Sequence, residues 1–350
     1  MIQEKWNLHN IPPKGDKDVA DFADGLFEIA KADKDRLKKK DDFLSNYALY
    51  RGKAANDLIK QKYRNHNNMY LSSPVNLYFA NVERTVSNIT AKNPTGEVVD
   101  MDGIDDGAED IFTMKLKKWW KQTNQQKKTR KSARSMEIYG IATEKPAWDK
   151  KNGQPLISEV DPFAFFPAPG NWEDISTQAP FVVFVYLKFV TEIEKNYKIK
   201  DVVGDEAYEL LGLVREEYTT SQKQRIGNYA DAMIVSRDRG TSNKIERCLV
   251  KEIWVRDEST KTVVEENPIL DEDGLPVVDE DGLPLIEKIK RKERIYPDGV
   301  RRILITKTKK GNVVLEDNPN PNINPNLEKE IASQTFPWGR FPVFVVNSYS

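Results

Sequence analysis

Four bases, Lys288, Lys290, Lys292 and Arg294, alternate with Ile289, Arg291, Glu293 and Ile295 in "KIKRKERI" (288–295). If that stretch is a strand, its period of two puts all four on one face. A row of ammonium and guanidinium groups suits phosphate oxygens, and Arg301 and Arg302 extend the cluster a few residues on. A solvated charged face would read the same way. A second basic run, Lys115 to Arg134, contains no acid and carries Trp119 and Trp120 in its middle. It fits either a helix with its tryptophans turned to a core or a phosphate-binding surface. Neither cluster has the aromatic ladder of a single-strand binder. Contact with double-stranded DNA would therefore be to the backbone and nonspecific.

Other chemistry fails on inventory. His9, His66 and Cys248 are the only imidazoles and thiol, too few for a zinc set. There is no glycine-rich phosphate loop, no G-x-G-x-x-G and no G-x-S-x-G turn. The near-repeat "DEDGLPVV" (271–278) and "DEDGLPLI" (279–286) has glycine fourth and proline sixth, which defeats a calcium loop. It reads as two acidic turns at the tip of a hairpin. Glu192, Glu194 and Asp201 could be assembled into the metal site of a DNA-processing enzyme, but acids on a capped amphipathic helix usually face solvent. The expectation is no catalytic, metal or cofactor site.

The elements that hold these groups form an α+β pattern. Residues 16–65 read as charged amphipathic helices, with Ala20, Phe22, Phe27 and Ile29 as a narrow apolar stripe on the first. Ser73 and Pro74 open a helix that carries Val75, Phe79, Val82, Val86 and Ile89 and stops before Pro94. One long helix is expected over 105–140, acidic at its start and basic later, in line with the helix dipole. A hairpin then turns at "KKNG" (150–153). "FVVFVYLK" (181–188) is a buried strand, and Thr191 with Glu194 form a capping box for a short helix through Tyr197. Residues 205–217 read as another helix. Strands follow at 246–257, 300–308 and 313–317, then a Pro/Asn linker (318–326) and one last strand in "FPVFVVNS".

With 350 residues, 39% hydrophobic and 31% charged, the chain can build a sizeable core. A net charge of −1 argues against both a disordered tail and a DNA-coating protein. One cysteine excludes an intramolecular disulfide and fits a reducing compartment. The longest apolar run, 180–190, is too short for a membrane span and is broken by Lys188, so no membrane partner is expected.

One stretch remains unassigned: "DPFAFFPAPGNWED" (161–174) is too apolar for a loop and too proline-rich for a regular element. Taken alone, it is either a ligand loop or a rigid corner. In context the order of segments resembles the portal proteins of tailed bacteriophages, the short-tailed type above all. The likeness rests on "SPVNLYFANVERTVSNITAKNP", on the helix leading through "SARSMEIYGIATEKPAWD", and on "ISEVDPFAFFPAPGNWEDISTQAPFVVFVYLKFVTEIEKNY". "CLVKEIWVRDE", "RRILITKTKKGNVVLE" and the closing "FPVFVVNS" complete it, over roughly residues 70–350.

The resemblance implies a structural role for Asp161, Pro162, Phe163, Phe166 and Trp172, as a corner of the wing, the body of each portal subunit. It divides the chain into N-terminal wing helices (1–70), a wing body (71–256), a clip-like excursion (257–317), and a linker with a return strand (318–350). Portals continue from there into a tunnel helix and a crown, which these residues do not include. The resemblance also implies a ring of about twelve copies at one capsid vertex. Double-stranded DNA would pass through its centre during packaging and ejection. Other implied partners are the terminase packaging motor, head–tail adaptor proteins, and major capsid and scaffolding proteins. Assembly would take place in the host cytoplasm. On this reading Lys288, Lys290, Arg291, Lys292, Arg294, Arg301 and Arg302 are the candidates to face DNA. Two alternatives stand beside it: another head–tail component of the virion, or a DNA-processing enzyme.

Overall fold

The computed structural model describes residues 11–52, 76–92, 96, 108–149, 152–204, 247–268, 286–323, 333 and 338–347. Its centre is a five-stranded antiparallel sheet in the order β3 (Phe165–Pro167), β4 (Phe181–Phe189), β5 (Arg247–Arg256), β8 (Val300–Thr308) and β9 (Gly311–Pro319). Both faces are covered, and the strands alternate accordingly. Phe181, Val183, Val185, Ile253, Val255, Ile303 and Ile305 meet α1 (Val19–Arg36), which buries Phe22, Ala23, Leu26, Phe27 and Ala30. Val182, Phe184, Trp254 and Val300 point the other way, onto Phe341, Val343 and Phe165. This two-sided burial is why "FVVFVYLK" is apolar up to Lys188, which is exposed. The stripe on α1 is wider than Ala20, Phe22, Phe27 and Ile29, because the helix lies along the sheet.

A second sheet, in the order β10 (Phe344–Asn347), β1 (Ile141–Asp149) and β2 (Gln154–Val160), contains the expected hairpin and the returning strand. Arg256 anchors the segment that leads to β10. Its guanidinium donates to Ala179 O at 3.0 Å and Gly339 O at 3.1 Å, and lies 4.9 Å from the Phe341 ring.

The helices differ from expectation in three places. The region 105–140 is two helices, α4 (Ala108–Gln122) and α5 (Gln125–Tyr139). They break at Asn124, whose φ of 51° is left-handed, a conformation asparagine tolerates better than most residues. Thr123 Oγ1 donates back to Trp119 O at 2.7 Å and so competes with the helix ladder. Helix α3 (Leu77–Ile89) is capped by Asn76, whose side chain accepts from Phe79 N at 3.0 Å; Ser73, Pro74 and Val75 lie outside the described residues. It ends at Ile89, before Asn93. Val82 and Val86 are buried, whereas Phe79 and Ile89 are exposed.

The Thr191–Glu194 capping box does not form. The helix there, α7 (Val190–Tyr197), starts two residues earlier with Phe189 at its cap, and Glu194 accepts instead from Val202 N at 3.3 Å. A four-residue helix, α6 (Ile175–Gln178), precedes β4, and α2 (Lys39–Tyr50) packs with α3 and α5. The expected helix at 205–217 and the "DEDGLP" turns lie outside the described residues.

The excursion is shorter than 257–317. Among the described residues, β6 (Thr260–Pro268) and β7 (Ile286–Arg294) stand apart from the central sheet as a two-stranded ribbon. Strands β8 and β9 belong to the central sheet, since β8 pairs with β5 from Arg256 onward. The Pro/Asn stretch is likewise less of a linker at its start: Asn318 and Pro319 close β9, and Asn320 is buried against Asp298 at 3.0 Å.

Candidate nucleic-acid interface

The ribbon places the alternating bases as the period of two requires. Lys288, Lys290, Lys292 and Arg294 stand opposite Glu266, Val264, Thr262 and Thr260 in the register. Facing residues of an antiparallel pair share a side. One side of the ribbon therefore carries four bases, with Val264, Thr262 and Thr260 facing three of them. The other carries Lys261 and Val263 against Glu293 and Arg291, with Ile289 farther along, which is mixed. Lys288, Lys290, Arg291, Lys292 and Arg294 are all exposed. Arg294 reaches back to Glu258 at 3.3 Å.

Arg301 and Arg302 do not belong to this surface, which corrects the sequence expectation. Arg301 is 1% exposed and forms the root of the ribbon. Its guanidinium donates to both Asp317 carboxylate oxygens at 2.8 and 2.7 Å, to Asp257 at 3.1 Å and to Pro12 O at 2.6 Å. Arg302 donates to Glu252 at 2.7 Å and to Glu316 at 2.6 Å. The bases of β7 lie on an exposed ribbon, whereas Arg301 and Arg302 on the next strand, β8, lie in the body and meet carboxylates.

Glu252 is the centre of a chain of charges across the body. Lys145, from β1 of the second sheet, donates to it and to Tyr186 Oη at 2.8 Å; Trp254 Nε1 donates at 3.1 Å. Burial alone would raise the Glu252 carboxyl, but the Lys145 and Arg302 charges hold it down at about 2. Tyr197 continues the chain by donating to Glu316 at 2.7 Å. The signal for Glu252 was present in "CLVKEIWVRD": an acid inside a strand buried on both faces must have a buried cation as partner.

The 161–174 stretch packs on its own subunit. Asp161 accepts from Phe163 N at 2.9 Å and caps one turn of 3-10 helix, Pro162–Ala164. Phe166 meets the Phe27 ring at 5.2 Å, and Phe163 lies between Phe43 and Tyr139 at 5.5 and 5.8 Å. Three backbone carbonyls that the irregular chain leaves unpaired, those of Pro162, Phe163 and Phe165, accept from Lys34 Nζ at 2.7, 3.2 and 3.0 Å. That ammonium also sits 4.1 Å from the centre of the Phe166 ring, and burial pulls its pKa down to about 7. Trp172 packs against both main cores and donates to Ala168 O at 3.0 Å. Gly170 turns beneath it at φ 143°, where a Cβ would come within 2.6 Å of the indole. Sequence reasoning missed Lys34, because nothing in its helix distinguishes it from its neighbours.

The other basic run lies on α4 and α5, where Lys117, Lys118, Lys121, Lys127, Arg130 and Lys131 are exposed. Trp119 and Trp120 are half-buried, and Trp119 Nε1 donates to Pro155 O at 2.7 Å. Glu192, Glu194 and Asp201 do not converge: Glu194 caps Val202 N, and Asp201 lies 3.8 Å from Lys309. Among the described residues no group of three or more His, Cys, Asp or Glu could hold a metal ion, and no helix is long and apolar enough to cross a membrane.

Among curated proteins none matches the sequence. A family model described as phage portal protein, SPP1 Gp6-like, matches residues 29–210. The match takes in the last eight residues of α1, the helices that follow, the first hairpin, the proline-aromatic corner, β4 and α7. It ends before the basic ribbon. With more than half of its 350 residues matched and an α+β body in the expected order, this chain belongs to the SPP1 Gp6-like family of phage portal proteins.

Proposed function

We propose that this portal subunit assembles with about eleven further copies into a ring at one capsid vertex. The ring conducts double-stranded DNA during packaging and ejection, and the β6–β7 ribbon presents its basic side to the passing phosphates. The observation that supports this is the one-sidedness of the ribbon: Lys288, Lys290, Lys292 and Arg294 share a face, while Arg301 and Arg302, immediately after it, are consumed by internal carboxylates. The ribbon corresponds to the clip of the portal fold. It is therefore the expected docking region for the terminase motor and the head–tail adaptors, and the body carries the contacts to capsid and scaffolding proteins. Family membership speaks for a structural role rather than an enzymatic one.

A conduit has to let every sequence slide past, so its contacts go to the backbone. Binding of the oligomer to two unrelated duplexes across a salt series tests this. Equal affinities are expected, with a steep loss of affinity as salt rises. Replacing Lys288, Lys290, Lys292 and Arg294 together by glutamine should flatten the log–log slope by about 0.9 for each phosphate contact removed. A strong preference for one duplex would mark a sequence reader. An unchanged slope would move the DNA-facing surface to the α4–α5 bases.

A further inference from the structure

Helix α4 carries apolar side chains that the body leaves exposed. Phe112 is 54% and Leu116 39% exposed, and their spacing of four puts them on one ridge. Lys115 stands beside that ridge, its ammonium 5.3 Å from the centre of the Phe112 ring. Lys117, Lys118 and Lys121 follow on the same helix and are exposed too. From Ile111 to Gln122 the helix has no acid. An apolar ridge set among bases is best covered by something both apolar and acidic.

The chain brings such a segment to this ridge. Gly96 lies against it at one end, since a Cβ built there would come within 3.1 Å of Leu116 Cδ2. The chain then has to return to Ala108, where α4 begins. About 12 Å of helix separates Ala108 from Leu116 at 1.5 Å per residue. The connecting residues, 97–107, lie outside the described residues, and a chain of that length reaches about 36 Å when extended. Both of its ends are thus fixed to α4, with slack between them. Its sequence, "EVVDMDGIDDG", offers Val98, Val99, Met101 and Ile104 as apolar cover. It also brings Glu97, Asp100, Asp102, Asp105 and Asp106, and no base. A tether this short gives the segment an effective concentration in the millimolar range, which an untethered acidic partner would have to exceed.

We infer that the Phe112–Leu116 ridge of α4 is the docking surface for residues 97–107 of the same chain, whose acids offset the α4 lysines and withhold them from DNA. Asp105 and Asp106 sit next to the helix N-terminus, where the dipole favours acids. Glu97, Asp100 and Asp102 are the acids left for Lys115 and Lys118. The run that is free of acids in sequence is then balanced in space, which sets it apart from the ribbon. The withholding clause rests on the DNA reading above; the docking does not.

The test labels the full chain with a maleimide at Phe112→Cys, on the ridge, or at Met114→Cys. Two residues on, Met114 faces the other side of the helix. Both native side chains are exposed and the native Cys248 is fully buried. Each rate is normalised to the same protein in denaturant. Phe112→Cys is expected to react several-fold more slowly than Met114→Cys. The gap should shrink as salt rises, and shrink again when Glu97→Gln, Asp100→Asn and Asp102→Asn are made together. Equal rates at low salt overturn the docking. A gap that ignores both salt and the three substitutions overturns the role of the acids. The same triple variant should bind duplex DNA with a steeper salt slope than wild type, restored by Lys115→Gln with Lys118→Gln. An unchanged slope overturns the withholding. Because the labelling needs neither a ring nor DNA, its failure is distinct from failure of the conduit reading.

Discussion

Glu252→Ala is expected to destabilise the subunit by about 3–5 kcal/mol, the cost of leaving a buried charge without its partner. The change takes the carboxylate partner from Lys145 and one of two from Arg302, which keeps Glu316. The side chains of Lys145 and Arg302 are 15% and 18% exposed and both point at the Glu252 carboxylate. The Phe184, Tyr186 and Trp254 rings surround the ammonium at 4.9, 5.3 and 5.8 Å and cannot replace a carboxylate. Because Lys145 belongs to the β10–β1–β2 sheet, the loss should loosen that sheet from the central one. Denaturant melts of wild type and variant measure it; a difference under about 1 kcal/mol would show that the pair is solvated like a surface bridge.

The same residue gives a pH dependence of defined sign. The Glu252 carboxyl is held at about 2, below its ordinary 4.5. Its contribution is therefore complete above about 4.5 and is lost as pH falls toward 2. Glu83 behaves alike: the Arg134 hydrogen bonds, at 2.7 and 2.8 Å, hold it at about 2. Glu252→Ala should flatten the acid limb of the stability profile but not abolish it.

Arg301→Met is the second large effect, again about 3–5 kcal/mol. It leaves Asp257 and Asp317, whose side chains are 1% and 8% exposed, buried without a cation. It also releases the Pro12 carbonyl. Arg301→Lys keeps the charge but loses the two-pronged contact with Asp317, so an intermediate loss is expected. The effect should be regional as well as global. Asp257 N donates to Gly299 O at 2.9 Å, and Ile295 N donates to Ser259 O at 2.9 Å, so the root of the ribbon hangs on the elements that Arg301 joins. Limited proteolysis of Arg301→Met should cut first between 257 and 299. Cleavage distributed as in wild type would separate Arg301 from the positioning of the ribbon.

Much of this architecture was legible in the sequence, and the failures share a cause. The strand at 181–189 was visible because burial on both faces demands a nearly continuous apolar run. Those at 247–256 and 300–308 were visible from their β-branched and aromatic residues. The basic ribbon was visible because its bases keep the period of two. Helix ends were less legible. The break at Asn124 depends on one left-handed residue and a threonine back-bond, and the start of α7 depends on how Phe189 leaves β4. The fates of Arg301 and Arg302 were hidden for a different reason. Their partners Asp257, Asp317, Glu252 and Glu316 arrive from other strands, so only the sheet order shows that these two bases are neutralised. Lys34 was hidden likewise, since it answers carbonyls that a remote proline-rich corner leaves unpaired.

The most direct test of the account is electron microscopy of the purified full-length protein, taken to a map that resolves strands. The account predicts a closed ring with an open centre, α1 and the five-stranded sheet in the outer body, and a collar of β6–β7 ribbons with Lys288, Lys290 and Lys292 turned to the channel. Monomers or two-fold dimers at assembly concentrations would contradict it, as would a ring whose ribbons turn those lysines outward.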